Sequence, residues 1–312
     1  MERIVFLSYI NRSGSTYLAN KLSKNPNIFV CPEAEILISF FLVDPSSKVK
    51  LSNRRINYLM KDPKFKHWAI DENHKIRIVS EVNSNLEKFL TIIISLKEKL
   101  KPKAEIIIFQ GTMLRYLFSR IIKNSKGHPI KMINLIRDPR AVFQSQKQSL
   151  DSSSNIPMNT SPRRFSNEWC KYSNLLVDDT DDSSEITVKY EEMITNENRV
   201  YYKVIDFLEV NHKVQSETPS DLNNIIPGSQ RHLHPLINKR PDSNRIKRWE
   251  KLLNNYEINE IQEGCGLLMQ KFNYTKTDIN VNRIKLFFVR IYWACQRYYY
   301  LVIKYFRKVI QK

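Results

Sequence analysis

Residues 3–22 read RIVFLSYINRSGSTYLANKL. The apolar run at 3–8 ends in a turn, which is the pattern of a buried strand. Leu18 and Leu22 stand four apart, and Pro26 lies beyond them, which predicts a helix over 15–25. Between strand and helix sit Arg12, Ser13, Gly14, Ser15 and Thr16. The chain holds only 6 Gly in 312 residues, so the one placed here matters. Where a parallel strand gives way to a helix, backbone N–H groups and the positive end of the helix dipole converge on an anion. Gly14 allows close backbone approach or positive φ. The three hydroxyls add donors and Arg12 adds a fixed charge. The G-x-x-x-x-G-K-[ST] signature is absent, and an ordinary capped helix is the plain structural alternative.

Residues 133–146, INLIRDPRAVFQSQ, repeat the arrangement. A strand ends at Ile136 and Arg137 follows at once. Asp138 suits a helix N-cap, and Pro139 suits the first helical position. Arg137 and Ser145 lie eight residues apart, about two helical turns, so both reach one anion only if the chain turns sharply between them. A capped surface helix is again the alternative. Two strand-to-helix sites suggest a ligand with two separated phosphates. Further strand-like runs fall at 27–31, 105–110 and 183–193, and helix-like runs at 85–100 and 113–124. The alternation predicts an α/β fold, a P-loop-like parallel sheet flanked by helices on both faces. The expected division is a main domain over 1–282 and a C-terminal helix over 283–312.

Composition narrows the partners. Lys+Arg 50 against Asp+Glu 32 gives +18, which predicts an anionic partner. Cys31, Cys170, Cys265 and Cys295 form no C-x-x-C pair, so neither a zinc ribbon nor a disulfide framework is expected. The N-terminal apolar run is too short for a signal peptide, and no ordinary transmembrane helix is read. A reducing, cytoplasmic location is expected, with peripheral membrane contact open.

RSGSTYLANKL taken with LIRDPRAVFQS resembles the sulfotransferases that use 3′-phosphoadenylyl sulfate (PAPS). VKYEEMI (188–194) resembles a third block of that family, and RIKRWEKLL (245–253) a late basic block. The four stand in family order from residue 3 to about 253. The resemblance implies 5′-phosphosulfate contact by Arg12, Ser13, Gly14, Ser15 and Thr16, and 3′-phosphate contact by Arg137 and Ser145. It implies adenine contact by Tyr190 and a looser nucleotide contact by Arg248. The blocks are most similar to the carbohydrate and tyrosyl-protein branches. Those branches imply a glutamate base at the end of the second strand, here Glu33 in VCPEAEIL, with Arg12 as the catalytic cation. Glu35 is the neighbouring alternative, and acidic residues that merely start a helix are the structural one.

Sulfuryl transfer needs an aligned acceptor, a base for its proton and cations on the bridging oxygen. FQGTMLR (109–115) lacks the histidine of the small-phenol branch and has Gln110 where related branches carry a lysine. Either Arg12 acts alone or Arg115 reaches in. The implied function is transfer from PAPS to a hydroxyl of a carbohydrate or glycolipid, without metal and without nucleic acid. The acceptor pocket is expected from 34–104 and 150–182. A nucleotide kinase lacks its lysine here. The non-catalytic alternative is a basic module binding anionic glycan or nucleic acid. His232 and His234 form H-x-H with no further ligands nearby, and Ser229 and Arg231 beside them are given no role. Asp181 and Asp182 read as a solvated acidic loop.

The tail, 283–312, lies beyond these blocks. Arg283, Arg290, Arg297 and Lys304 recur every seven residues and, with Lys308, form one stripe on an aromatic cylinder. An interfacial membrane helix with its cations toward anionic lipid and a helix packed on protein both fit.

Overall fold

The computed structural model describes residues 2–48, 52–66, 68, 84–112, 114–151, 154–177, 183–211 and 242–310. The chain divides into two compact units. The first comprises Met1–Tyr9, Gly14–Leu135 and Asp181–Pro241; the second comprises Ile10–Ser13, Ile136–Thr180 and Asp242–Lys312.

The first unit is built on a five-stranded sheet in the order β2-β3-β1-β4-β5. Its strands are β1 (Arg3–Tyr9), β2 (Ile28–Val30), β3 (Ile106–Gly111), β4 (Ile130–Ile136) and β5 (Glu185–Lys189). β1 runs parallel to β3 and β4, and β2 runs parallel to β3. Six of seven residues of β1 and all of β3 are buried, so both faces of the sheet are covered, as parallel sheets require. On one face Ile4, Phe6, Ile107 and Phe109 pack with Phe89 and Ile93 of a long helix.

The helices of this unit are α1 (Ser15–Ser23), α2 (Glu35–Leu37), α3 (Asn53–Lys61), α4 (Pro63–Lys66), α5 (Asn85–Leu100) and α6 (Leu114–Lys123). α2 continues into one π turn, Ile38–Leu42. α5 opens on a capping box: Ser84 accepts from the Glu87 N–H, and Glu87 accepts from the Ser84 N–H at 2.7 Å. The second unit contributes α7 (Pro139–Gln148) and α8 (Pro162–Asn174). The chain then returns to the first unit for α9 (Tyr190–Thr195) and α10 (Glu197–Phe207). A short 3₁₀ turn (Ser243–Arg245), α11 (Trp249–Leu252), α12 (Asn255–Lys271) and α13 (Arg283–Ile310) complete the second unit. Its core joins Phe143 of α7, Phe165 and Trp169 of α8, Trp249 of α11 and Ile261 and Cys265 of α12.

The strand and helix readings hold to within two residues for β1, β4, α1, α5 and α6. The third block differs in detail. Its strand stops at Lys189, and Tyr190 already opens a helix.

Candidate active site

The first loop has the special geometry that its sequence suggests. Arg12 sits at φ 76 and Gly14 at φ 96. A non-glycine residue held at positive φ costs on the order of 1–3 kcal/mol, and such strain gathers at functional sites. Gly14 is the N-cap of α1, and no side chain caps the helix. Ser15 and Thr16 therefore form the first turn, where backbone donors point outward.

In the second unit, three side chains from one segment grip Ile10–Ser13. Arg12 Nε donates to Ser145 Oγ at 3.1 Å. Arg137 Nη1 donates to the Arg12 carbonyl at 3.0 Å. Gln146 Nε2 donates to the Asn11 carbonyl at 2.9 Å. Arg137 also donates to the Arg245 carbonyl at 3.2 Å, and its own carbonyl accepts from Trp169 Nε1 at 3.0 Å. The sharp turn required between Arg137 and Ser145 is made by Asp138 and Pro139. Asp138 caps α7 by accepting from the Arg140 N–H and binds the Arg140 guanidinium at 2.6 Å. Arg140 is buried and stacks on Trp249, 3.9 Å from the ring centre. Thus Arg12, Ser13, Arg137 and Ser145, chosen from two distant stretches, form one cluster. Arg248 lies in the turn before α11 and is exposed. The carbonyl of Arg245 is the nearer link from that basic block to Arg137.

In the first unit, Tyr190 lies against the loop glycine. A Cβ on Gly14 would stand 2.5 Å from Tyr190 Cδ2, so only glycine admits this ring. Glu33 follows β2 and precedes α2. Its Oε2 accepts from Lys64 Nζ of α4 at 2.9 Å, and its Oε1 faces the Tyr9 hydroxyl at 3.4 Å. Burial, then the charges of Glu33 and Glu35, raise the Tyr9 pKa well above its ordinary value. Tyr9 is thus a neutral donor to Glu33. Burial pulls Lys64 down, but the Glu33 carboxylate more than offsets that and leaves its pKa raised. Glu35 is the first residue of α2 and accepts from Thr112 at 3.2 Å.

In and after β3, Gln110 and Arg115 have partners of their own. Arg115 forms an ion pair with Glu185, Nε to Oε2 at 3.3 Å, and Glu185 also accepts from Asn134. Gln110 is buried and donates to the Cys31 carbonyl at 3.3 Å, which ties β3 to the segment that carries Glu33. Lys64 escaped the sequence reading because it lies 31 residues from Glu33 and only tertiary folding joins them. Gln146 sits one residue past Ser145 and was legible only as part of a helix. Among the described residues no group of three or more His, Cys, Asp or Glu is placed to hold a metal. His232, His234, Ser229, Arg231, Asp181 and Asp182 lie outside the described residues.

No protein-family model matches the chain, and no curated protein matches it. Solved structures do. The sulfotransferase domain from the curacin biosynthetic pathway superposes with a TM-score of 0.55 at 15% identity, over 89% of this chain and 99% of that one. The sulfotransferase domain of the Synechococcus PCC 7002 olefin synthase gives 0.57 at 18% identity, over 88% and 95%. The fold is the sulfotransferase fold. In the first unit, Tyr9, Glu33 and Gln110 stand at or just beyond the carboxyl ends of β1, β2 and β3, where open α/β sheets hold their ligands.

Proposed function

We propose that the protein transfers a sulfuryl group from PAPS to a hydroxyl acceptor. The observation that carries this reading is the closure of Arg12 on Ser145 and of Arg137 on the Arg12 backbone. Those contacts turn two separate strand-to-helix loops into one cationic cluster, as a donor with two phosphate positions demands. Each unit offers anion-seeking groups: guanidinium groups and hydroxyls in the second, and the uncapped start of α1 in the first. Arg12, Ser13, Gly14, Ser15 and Thr16 are assigned to the 5′-phosphosulfate and Arg137 and Ser145 to the 3′-phosphate. Tyr190 is assigned to the adenine and Arg248 to the outer nucleotide.

In the reaction the acceptor oxygen forms a bond to sulfur, and the bond from sulfur to the bridging phosphate oxygen breaks. The electron pair leaves on that oxygen, and the acceptor proton goes to a carboxylate. Glu33 is assigned as that base, held in position by Lys64 and Tyr9. Arg12 is assigned to the charge that develops on the bridging oxygen. A carbohydrate or glycolipid hydroxyl is the acceptor class proposed.

Calorimetric titration with adenosine 3′,5′-bisphosphate tests the donor site. The wild type binds, and Arg137→Ala binds more than tenfold more weakly, since a charge-assisted contact contributes about 1.5–3 kcal/mol. Equal affinity in the two proteins overturns the assignment. Transfer of labelled sulfate from PAPS to a panel of glycans, glycolipids and tyrosine peptides then separates the acceptor classes.

A further inference from the structure

α13 spans 28 residues, about 42 Å of helix. Its face toward the second unit is set by Leu286 and Trp293, both buried. The expected basic stripe lies on that same face. Arg290 pairs with the buried Glu260 of α12, and Lys304 Nζ approaches Asp151 at 3.9 Å. At 100° per residue, Arg283 and Arg297 fall within about 60° of Leu286 as well. The sequence left open whether these cations face lipid or protein; the structure turns two of them to carboxylates of their own unit.

The opposite half of the helix is uncharged. Ile284, Phe288, Ile291, Tyr292, Tyr299 and Phe306 lie there, from 46% to 71% exposed. So large an exposed apolar surface marks a binding face. Lys285 stands at its margin, exposed. The stretch 283–312 contains eight Lys or Arg and no Asp or Glu. No helix among the described residues is long and apolar enough to cross a membrane.

We propose that α13 is an in-plane membrane anchor whose uncharged aromatic face enters the boundary of an anionic bilayer. The apolar half meets the acyl region and tyrosines sit at headgroup depth. Lys285 at the margin and the chain's net charge of +18 favour anionic headgroups, while Arg290 and Lys304 keep their carboxylate partners. A second copy of the chain is the less suitable occupant. Pairing two such helices would bring together two chains of net charge +18, with Lys285 at the margin of each face and no acidic residue within 283–312.

The test is flotation of the full chain with vesicles of phosphatidylcholine alone and with phosphatidylglycerol added. The wild type floats with the anionic vesicles and less so as salt rises. The triple variant Phe288→Ser, Tyr299→Ser, Phe306→Ser keeps the charge of +18 and the buried face. Its binding falls by about 100-fold or more, because partition scales with buried apolar area. If the variant floats as well as the wild type, the general basicity of the chain does the binding and the proposal fails. A wild type that forms a dimer, dissociated by the variant, and ignores vesicles also overturns it. Cys295 supplies a second reading without touching the rings, since it is exposed near the centre of the outer face. In a Cys170→Ser background an environment-sensitive dye on Cys295 shifts to the blue with anionic vesicles. An unshifted spectrum counts against insertion. These outcomes do not depend on nucleotide binding, so the anchor can stand or fall apart from the proposed reaction.

Discussion

At the scale of the residue, Arg12 and Glu33 are assigned separable roles. Arg12→Ala removes a cation whose contact strengthens as charge reaches the bridging oxygen, so kcat falls with it. Glu33→Gln keeps the shape and removes the proton acceptor. The turnover rate is expected to fall by about 10²–10⁴-fold with adenosine 3′,5′-bisphosphate affinity nearly unchanged. Single-turnover assays beside calorimetry check this. The same loss from Glu35→Gln but not from Glu33→Gln would exchange the roles. Lys64 holds Glu33 at 2.9 Å, so Lys64→Met lowers turnover in the same assay while Lys64→Arg restores most of it. If Lys64→Arg is as impaired as Lys64→Met, positioning through Glu33 is not its role. The sequence singled out Arg12 through its local strand-to-helix pattern and Glu33 through the family resemblance. Lys64 belongs to neither, and its meaning exists only once α4 has been folded against the end of β2.

At the scale of the element, the helix starts carry most of the local information. Asp138 and Pro139 specify α7 outright, which is why the second loop could be read in advance. The tail could not be read as well. A seven-residue period fixes which residues share a face but not which way that face turns, and Glu260 and Asp151 decide that. α5 offers a clean test of capping. Lys126 first, and then the Ser84 N–H, lower the Glu87 pKa from 4.5 to about 2. Its folded-state value lies below its unfolded one, so its contribution is present above about pH 4.5 and is lost as pH falls through about 2. Urea melts at pH 6 and pH 2 should show wild type more stable than Glu87→Gln at the first and nearly equal at the second. A gap unchanged by pH rules out a charged cap. Ser84→Ala is expected to cost about 0.5–2 kcal/mol at pH 6.

At the scale of the whole molecule, the chain leaves the second unit after Thr180 and re-enters it at Asp242, and α12 is made well before α13. Alternation of strands and helices was enough to predict the sheet. It could not reveal this division, because the break falls inside a turn, between Tyr9 and Ile10, where composition does not change. The order of synthesis gives the Glu260–Arg290 pair a temporal meaning. Glu260 is 4% exposed and emerges from the ribosome 30 residues ahead of its cation. Once Glu260 is buried, the Arg290 cation is what pairs it, and leaving such a buried charge unpaired costs about 3–5 kcal/mol. Packing around Glu260 is therefore expected to be completed only when α13 is in place. A chain stopped after Asn282 should accumulate poorly in soluble form, and Glu260→Gln within that shortened chain should recover part of the yield. Equal yields with and without Glu260→Gln would show that the carboxylate sets no such wait. With the cation supplied by α13, the buried side of α12 and the helix that follows it can only be completed together.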